Sequence, residues 1–209
     1  MKKNQVLLIG THNNGKFKEI SKLLHKKIKT ISPKSLEIES PKETGKTFKE
    51  NSELKANFFY KKSKLISLSD DSGIEILALN KKPGIYSARW AKKSGSFKKA
   101  MISILKKIKN KKNRKARFIC SLSIKLHKRK IVTSVGVING HISLKMLGSK
   151  GFGYDPVFIP KGSKLTFGRM SPQKKMKLAH RSIAFKKLKR KLKPPNSKAS
   201  LISFSNLLL

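Results

Sequence analysis

Carboxylates are scarce in this chain. Ten Asp and Glu stand against 51 Lys and Arg, a formal net charge of +41 over 209 residues. Eight of the ten fall between Glu37 and Glu75, and the 134 residues after Glu75 hold one more, Asp155. The only aspartates are Asp70 and Asp71, in Ser69-Asp-Asp-Ser-Gly73, and Asp155, in Gly151-Phe-Gly-Tyr-Asp-Pro156. In so basic a chain a stranded carboxylate points to a task, such as holding a divalent cation or a water beside a polyanion. Cysteine is nearly absent as well. Cys120 alone excludes a disulfide framework and a Cys-rich zinc site. Long apolar runs are also missing. Val6-Leu7-Leu8-Ile9 follows Met1-Lys2-Lys3, but the run breaks at Gly10 and is too short for a signal peptide. No stretch reaches transmembrane length, so a cytoplasmic protein with no membrane association is expected.

What is present indicates a globular protein. The chain is long enough to bury a sizeable core, and its hydrophobic content of 37% falls in periodic patterns rather than the sparse pattern of a disordered chain. The positive excess is mostly Lys spread through every segment, with no recognisable nucleic-acid-binding motif. No specific nucleic-acid partner is expected. The field should attract anionic substrates and bind nucleic acid non-specifically at low salt.

The periodicity predicts an α/β opening: a buried strand over 5–9, a polar loop, then a helix from Gly15 to about Lys27. A second strand is expected at Ile28–Ile31 and a helix from Phe48 to about Lys61. A short strand over Leu65–Ser69 should deliver Asp70 and Asp71 at its end. Another helix carries Phe97, Met101, Ile104, Leu105 and Ile108. Alternation from Ala116 to Leu126 predicts a strand with one buried face. Val132–Ile138 should pair with it, and Asn139-Gly140 predicts a hairpin returning over His141–Met146. A last helix is expected from Gln173 to about Lys193, closed by Pro194-Pro195. The expected organisation is one domain over 1–193 and a Ser-rich tail over 194–209.

Three segments carry chemistry. Thr11, Asn13, Gly15 and Lys16 lie between the first strand and first helix, where backbone N–H groups suit phosphate and Lys16 adds charge. The spacing is not that of a P-loop. Asp70 and Asp71 are adjacent acids, costly to place together unless a cation is near, and Mg²⁺ takes one or two carboxylates plus substrate phosphates. Glu43, in a Thr44-Gly45 turn, is the better upstream ligand candidate than Glu50 or Glu53. In the Gly151–Phe158 segment, glycines permit close backbone approach and an aromatic ring can stack on a base. His180-Arg181 follows, with Lys175 and Lys177 upstream.

Together these segments resemble the inosine triphosphate pyrophosphatase family. The resemblance is carried by Thr11-His-Asn-Asn-Gly-Lys16, Glu43-Thr-Gly-Lys-Thr-Phe48, Glu50-Asn51, Leu54-Lys-Ala56, Asp70-Asp-Ser-Gly73, Pro83-Gly-Ile-Tyr-Ser-Ala-Arg89, Ala116-Arg-Phe118, Gly151–Phe158 and His180-Arg181, in order. It implies an elongated mixed sheet with flanking helices, two lobes with a central substrate cleft, a homodimer and Mg²⁺. The implied reaction converts ITP, dITP or XTP to the monophosphate and pyrophosphate. Position by position, it implies that Thr11, His12, Asn13, Asn14, Gly15 and Lys16 bind the triphosphate, with Lys55 nearby. Asp71 would be the catalytic base and a metal ligand, supported by Glu43, and Ser72 would touch substrate. Phe152, Gly153, Tyr154, Asp155, Lys175, His180 and Arg181 would hold the nucleoside end. The chain departs from the usual family pattern at His12, Leu77 and Ala179, where glycine, an acid and serine are common, and at Gln173 and Lys174, where acids are.

Overall fold

The structure, a computed structural model, describes residues 6–192. The strands are β1 (Val6–Ile9), β2 (Lys29–Ile31), β3 (Ser67–Ile76), β4 (Lys115–His127), β5 (Lys130–Ile142) and β6 (Phe158–Pro160). The helices are α1 (Asn14–Leu23), α2 (Phe48–Ser63), α3 (Ser87–Lys93), α4 (Phe97–Lys107), α5 (Pro172–Leu178) and α6 (His180–Leu192), with 3-10 turns between elements. The strand order is β2-β1-β3-β4-β5-β6. The sheet is mixed: β1 runs parallel to β2 and β3, and β5 runs antiparallel to β6. The mixed α/β class expected from the sequence is what the chain adopts.

The chain divides into two compact units. The first comprises the described residues up to Asp71, Ser121–Gly136 and those from Arg181 on; the second is Ser72–Cys120 with Val137–His180. In the first unit, Leu7, Leu8 and Ile9 of β1 are fully buried, as the apolar run requires for a strand paired on both sides. Gly10 ends it because nothing larger fits: a Cβ there would lie 2.1 Å from the Ser69 hydroxyl and 2.5 Å from the Phe59 ring. Helix α2 starts at Thr47, whose hydroxyl accepts the Glu50 N–H, while the Glu50 carboxylate accepts the Lys46 N–H. The first bond satisfies a donor that the first helical turn leaves open, and the second ties the residue before the cap to that turn. The second unit closes on a core that includes Ile74, Met101, Ile104, Phe118, Phe158 and Phe167.

Four expectations about local structure change. Strand β3 does not stop before the aspartates; it runs through them to Ile76, so Asp70 and Asp71 are mid-strand and buried. Strand β4 is buried on both faces, because the residues between its apolar positions include Ser121 and Ser123. Within the first unit their hydroxyls bond to the buried Ser52 hydroxyl of α2 at 2.8 and 2.7 Å, which removes the penalty of burying them. The β4–β5 turn is at Lys128-Arg129, and β5 continues through Asn139-Gly140. Gly140 serves strand packing rather than a turn, since a Cβ would lie 2.1 Å from the Ile159 carbonyl of β6. The last helix is two helices, separated at Ala179, which takes an extended backbone. The tail over 194–209 lies outside the described residues.

Candidate active site

The first unit gathers the triphosphate and metal candidates. In the loop after β1, the Thr11 hydroxyl accepts the Asn13 N–H at 3.2 Å, and the Asn13 side chain caps α1 by accepting the Lys16 N–H at 3.0 Å. Asn14 and Gly15 open the helix, so their N–H groups belong to the turn that lacks intrahelical partners. His12 is exposed, and its Nδ1 lies 2.6 Å from the Ser40 hydroxyl. The Lys16 ammonium sits 3.3 Å from Asp70 Oδ2.

The same Asp70 oxygen accepts from Arg181 Nη2 at 3.2 Å and lies 3.4 Å from its Nε. Arg181 is itself buried, and its Nη1 donates to Glu19. Next along β3, Asp71 is 4% exposed. Its Oδ2 accepts from Asn51 Nδ2 at 3.2 Å, and its Oδ1 lies 3.8 Å from the Lys55 ammonium. Lys55 donates to Glu43 at 2.7 Å. Asp71 and Glu43 thus converge on one cation.

Burial pushes the Asp71 carboxyl above its ordinary value, and the neighbouring charges of Glu43 and Asp70 push the same way against Lys55 and Lys16. Burial alone would lower Lys55, but the charges of Asp71, Asp70 and Glu43 and the bond to Glu43 outweigh it and hold the ammonium protonated. Asp71 is therefore a more basic carboxylate than a solvated one, beside a fixed positive charge.

Among the described residues, no group of three or more His, Cys, Asp and Glu side chains forms a ready-made metal site. The donor chemistry nevertheless suits a hard divalent cation. Two carboxylates already share one cation, and Mg²⁺ commonly takes one or two carboxylates with substrate phosphate completing its shell.

The second unit holds the aromatic segment. The Asp155 carboxylate accepts the Phe152 N–H at 2.8 Å and pairs with the buried Lys175 ammonium. Lys175 lies 4.8 Å from the Phe152 ring centroid and 5.5 Å from that of Phe167. Gly151 and Gly153 have φ of +77° and +64°, a region glycine enters without strain. A Cβ on Gly151 would also lie 2.0 Å from Asp155 Oδ2. Phe152 is half-buried, whereas Tyr154 is buried and donates its hydroxyl to the Ser87 carbonyl at 2.9 Å. Burial pushes that hydroxyl's pKa up, and the ring meets Phe97 edge-on. Of the two rings considered for stacking on a base, Phe152 retains exposed surface. The His180 ring stacks on Phe118 with centroids 4.8 Å apart. Ser72 is half-buried on β3, in the second unit.

The sequence reading gave no role to Glu19 or Asn51. Glu19 carried a signal, being the only acid before Glu37 in a chain short of acids. Asn51 carried none beyond its place in a motif, because an amide on a helix reads as solvent-facing until its partners are known.

The chain matches the sequence profile of the Ham1 family over residues 7–191. It is 42% identical over 199 residues to a dITP/XTP pyrophosphatase of Bartonella quintana, covering 87% of this chain and 93% of that one. It is 37% identical over 186 residues to a dITP/XTP pyrophosphatase of Zymomonas mobilis, covering 87% and 89%. Among solved structures it is similar to the Staphylococcus aureus Ham1 protein, with a TM-score of 0.80 and 31% identity over 90% of this chain and 98% of that one.

Proposed function

Because the chain belongs to the Ham1 family, we propose that it hydrolyses non-standard purine nucleoside triphosphates, dITP, ITP and XTP, to the monophosphate and pyrophosphate. The observation that carries this reading is the first-unit cluster, in which Lys16 and Lys55 flank the adjacent buried acids Asp70 and Asp71 and Glu43 shares Lys55 with Asp71. The relatives named dITP/XTP pyrophosphatase support the substrate class.

The reaction needs an activated water, charge to neutralise the phosphates and a leaving pyrophosphate. Asp71 is the base. It takes the proton of a water whose oxygen bonds to the α-phosphorus, while the bond from that phosphorus to the α–β bridging oxygen breaks. Its raised pKa makes it a better acceptor than a solvated carboxylate. Lys16, Lys55 and the first-turn N–H groups of α1 bind the phosphate oxygens. Thr11 and Asn13 keep that loop in shape through their own hydrogen bonds. Asp71 and Glu43 would hold Mg²⁺, which when bound supplies positive charge to the phosphate oxygens.

For the nucleoside end, Phe152 offers ring surface, with its turn shaped by Asp155 and Lys175. Arg181, oriented by Glu19 and Asp70, is proposed to donate to the 6-oxo oxygen that hypoxanthine and xanthine carry and adenine lacks. His180 is proposed to contact the nucleoside, and Ser72 to touch substrate. A cytoplasmic homodimer is the proposed form; among the described residues no helix is long and apolar enough to cross a membrane.

The deciding experiment incubates the protein and Mg²⁺ with dITP, XTP, ITP, dATP and dGTP and separates pyrophosphate from orthophosphate. Pyrophosphate with monophosphate, fastest from dITP, XTP or ITP, is expected. Orthophosphate as the first product, or equal rates on dITP and dATP, would overturn the reading.

A further inference from the structure

We propose that Asn51 is a positioning residue that sets the orientation of the Asp71 carboxylate and couples it to the segment bearing Glu43. The inference rests on the reading of Asp71 as the base. Asn51 is fully buried near the start of α2, and both ends of its amide are used. Nδ2 donates to Asp71 Oδ2 at 3.2 Å, and Oδ1 accepts the Gly45 N–H at 2.8 Å.

Each bond determines the other. With the amide turned over, Nδ2 would face the Gly45 N–H and Oδ1 would face a carboxylate, two repulsive contacts in place of two attractive ones. The Gly45 N–H therefore selects the orientation that presents a donor to Asp71. The loop closes this far because residue 45 has no side chain: a Cβ would lie 2.7 Å from Asn51 Oδ1 and 2.7 Å from Glu50 Cβ. Gly45 is two residues from Glu43, so one side chain ties the Glu43 segment to strand β3.

The Asp71 oxygens are thereby distinguished. Oδ2 is held by Asn51, while Oδ1 lies on the Lys55 side. A neutral donor holds the carboxylate without adding a further positive charge beside a base. The helix does not depend on this side chain, because the Asn51 backbone N–H bonds to the Thr47 carbonyl at 3.1 Å.

The test measures kcat and KM for dITP, with Mg²⁺, for Asn51→Ala and Asn51→Asp, alone and combined with Asp71→Asn. Thermal melts accompany each variant, and residual rates are read at high enzyme concentration. Asn51→Ala should lower kcat by roughly 10- to 100-fold with KM within about threefold, as misplacing a catalytic group does. In the Asp71→Asn background the same change should cost less than about twofold, because a group that acts through Asp71 has nothing left to position. Asn51→Asp keeps the shape and the Gly45 acceptor but sets oxygen against oxygen, and should lose at least as much kcat as Asn51→Ala. If Asn51→Ala does not fold, Asn51→Asp carries the same cycle. Wild-type kcat in a folded variant, or the same fold-loss with and without Asp71, would overturn the proposal. Wild-type turnover of Asp71→Asn alone would overturn the reading of Asp71 beneath it.

Discussion

Both units bury aspartate beside lysine, yet the two arrangements differ in what they leave chargeable. In the second unit, Asp155 pairs with Lys175, and the carboxylate also accepts the Phe152 N–H, so the ion pair ties the turn. In the first unit, Glu19, Glu43, Asp70 and Asp71 share Lys16, Lys55 and Arg181. Acids crowd together there, and the Asp71 pKa is raised despite two nearby lysines. A buried pair that ties a turn is structural; a cluster in which a buried acid keeps a raised pKa accommodates a further cation or takes up a proton. The same residue types do different work because their surroundings differ.

Removing the acid at the centre of the crowded cluster should give the largest effect. Asp71→Asn keeps the shape but removes the basic oxygen, and kcat should fall by at least about 10²-fold. In the metal-free wild type, the Asp71 carboxyl should titrate above the ordinary carboxyl value of 3.8 when followed by side-chain NMR. The stability sign follows from the same shift. A folded-state pKa above the unfolded one favours the fold below the unfolded pKa, and that contribution is lost as pH rises through the folded pKa. Asp71→Asn should therefore melt at or above the wild-type temperature at neutral pH while being inactive. A variant that is active, or much less stable at neutral pH, would break the contrast between a functional and a structural acid.

Arg181 comes next. Arg181→Lys loses the planar fork held by Glu19 and Asp70 and should cost dITP turnover ~10-fold or more, with a smaller loss for dATP. A loss equal for both nucleotides would assign Arg181 to charge balance at Asp70 alone.

The Asp155–Lys175 pair should respond in the opposite way. Asp155→Asn removes the charge that Asp155 sets against the buried Lys175 ammonium and should destabilise the protein by ~3–5 kcal/mol in denaturant unfolding. Under conditions where the variant is folded, the fall in kcat should be smaller than for Asp71→Asn. A catalytic loss as large as that of Asp71→Asn without destabilisation would erase the distinction between the two units.

The smallest effect is expected at His12. Its bond to Ser40 is exposed, and such bonds contribute ~0.5–1.5 kcal/mol. His12→Gly should raise KM for dITP by roughly two- to tenfold with kcat nearly unchanged, and Ser40→Ala should reproduce the shift. A pure kcat effect would remove His12 from ground-state phosphate binding.

Much of the first-unit cluster was legible in the chain because scarcity marked it. Asp70 and Asp71 stood out among few acids, and Lys16 stood out at a strand-to-helix turn. What could not be read were the pairings across sequence. Arg181 meets Asp70 over 111 positions and Glu19 over 162, and no local period encodes such a partnership. Asn139-Gly140 was read as a turn because Asn-Gly favours positive φ, yet Gly140 was required by the approach of β6. The strand expected over Leu65–Ser69 ends at the aspartates, whereas β3 runs through them to Ile76. Lys16, Lys55, Asn51 and Arg181 supply the partners that let β3 continue through them.

The sequence by itself determined the α/β opening, the helix from Phe48, the strand alternation from Ala116 to Leu126 and the residue types available to bind phosphate and metal, since these depend on local periodicity and on side-chain chemistry. Tertiary structure alone decided which cation each buried acid meets. It also decided which glycines make turns and which make room, and which amide faces Asp71. Those outcomes depend on distances between segments far apart in the chain, and the free energy of a buried charge depends on whatever those segments place beside it.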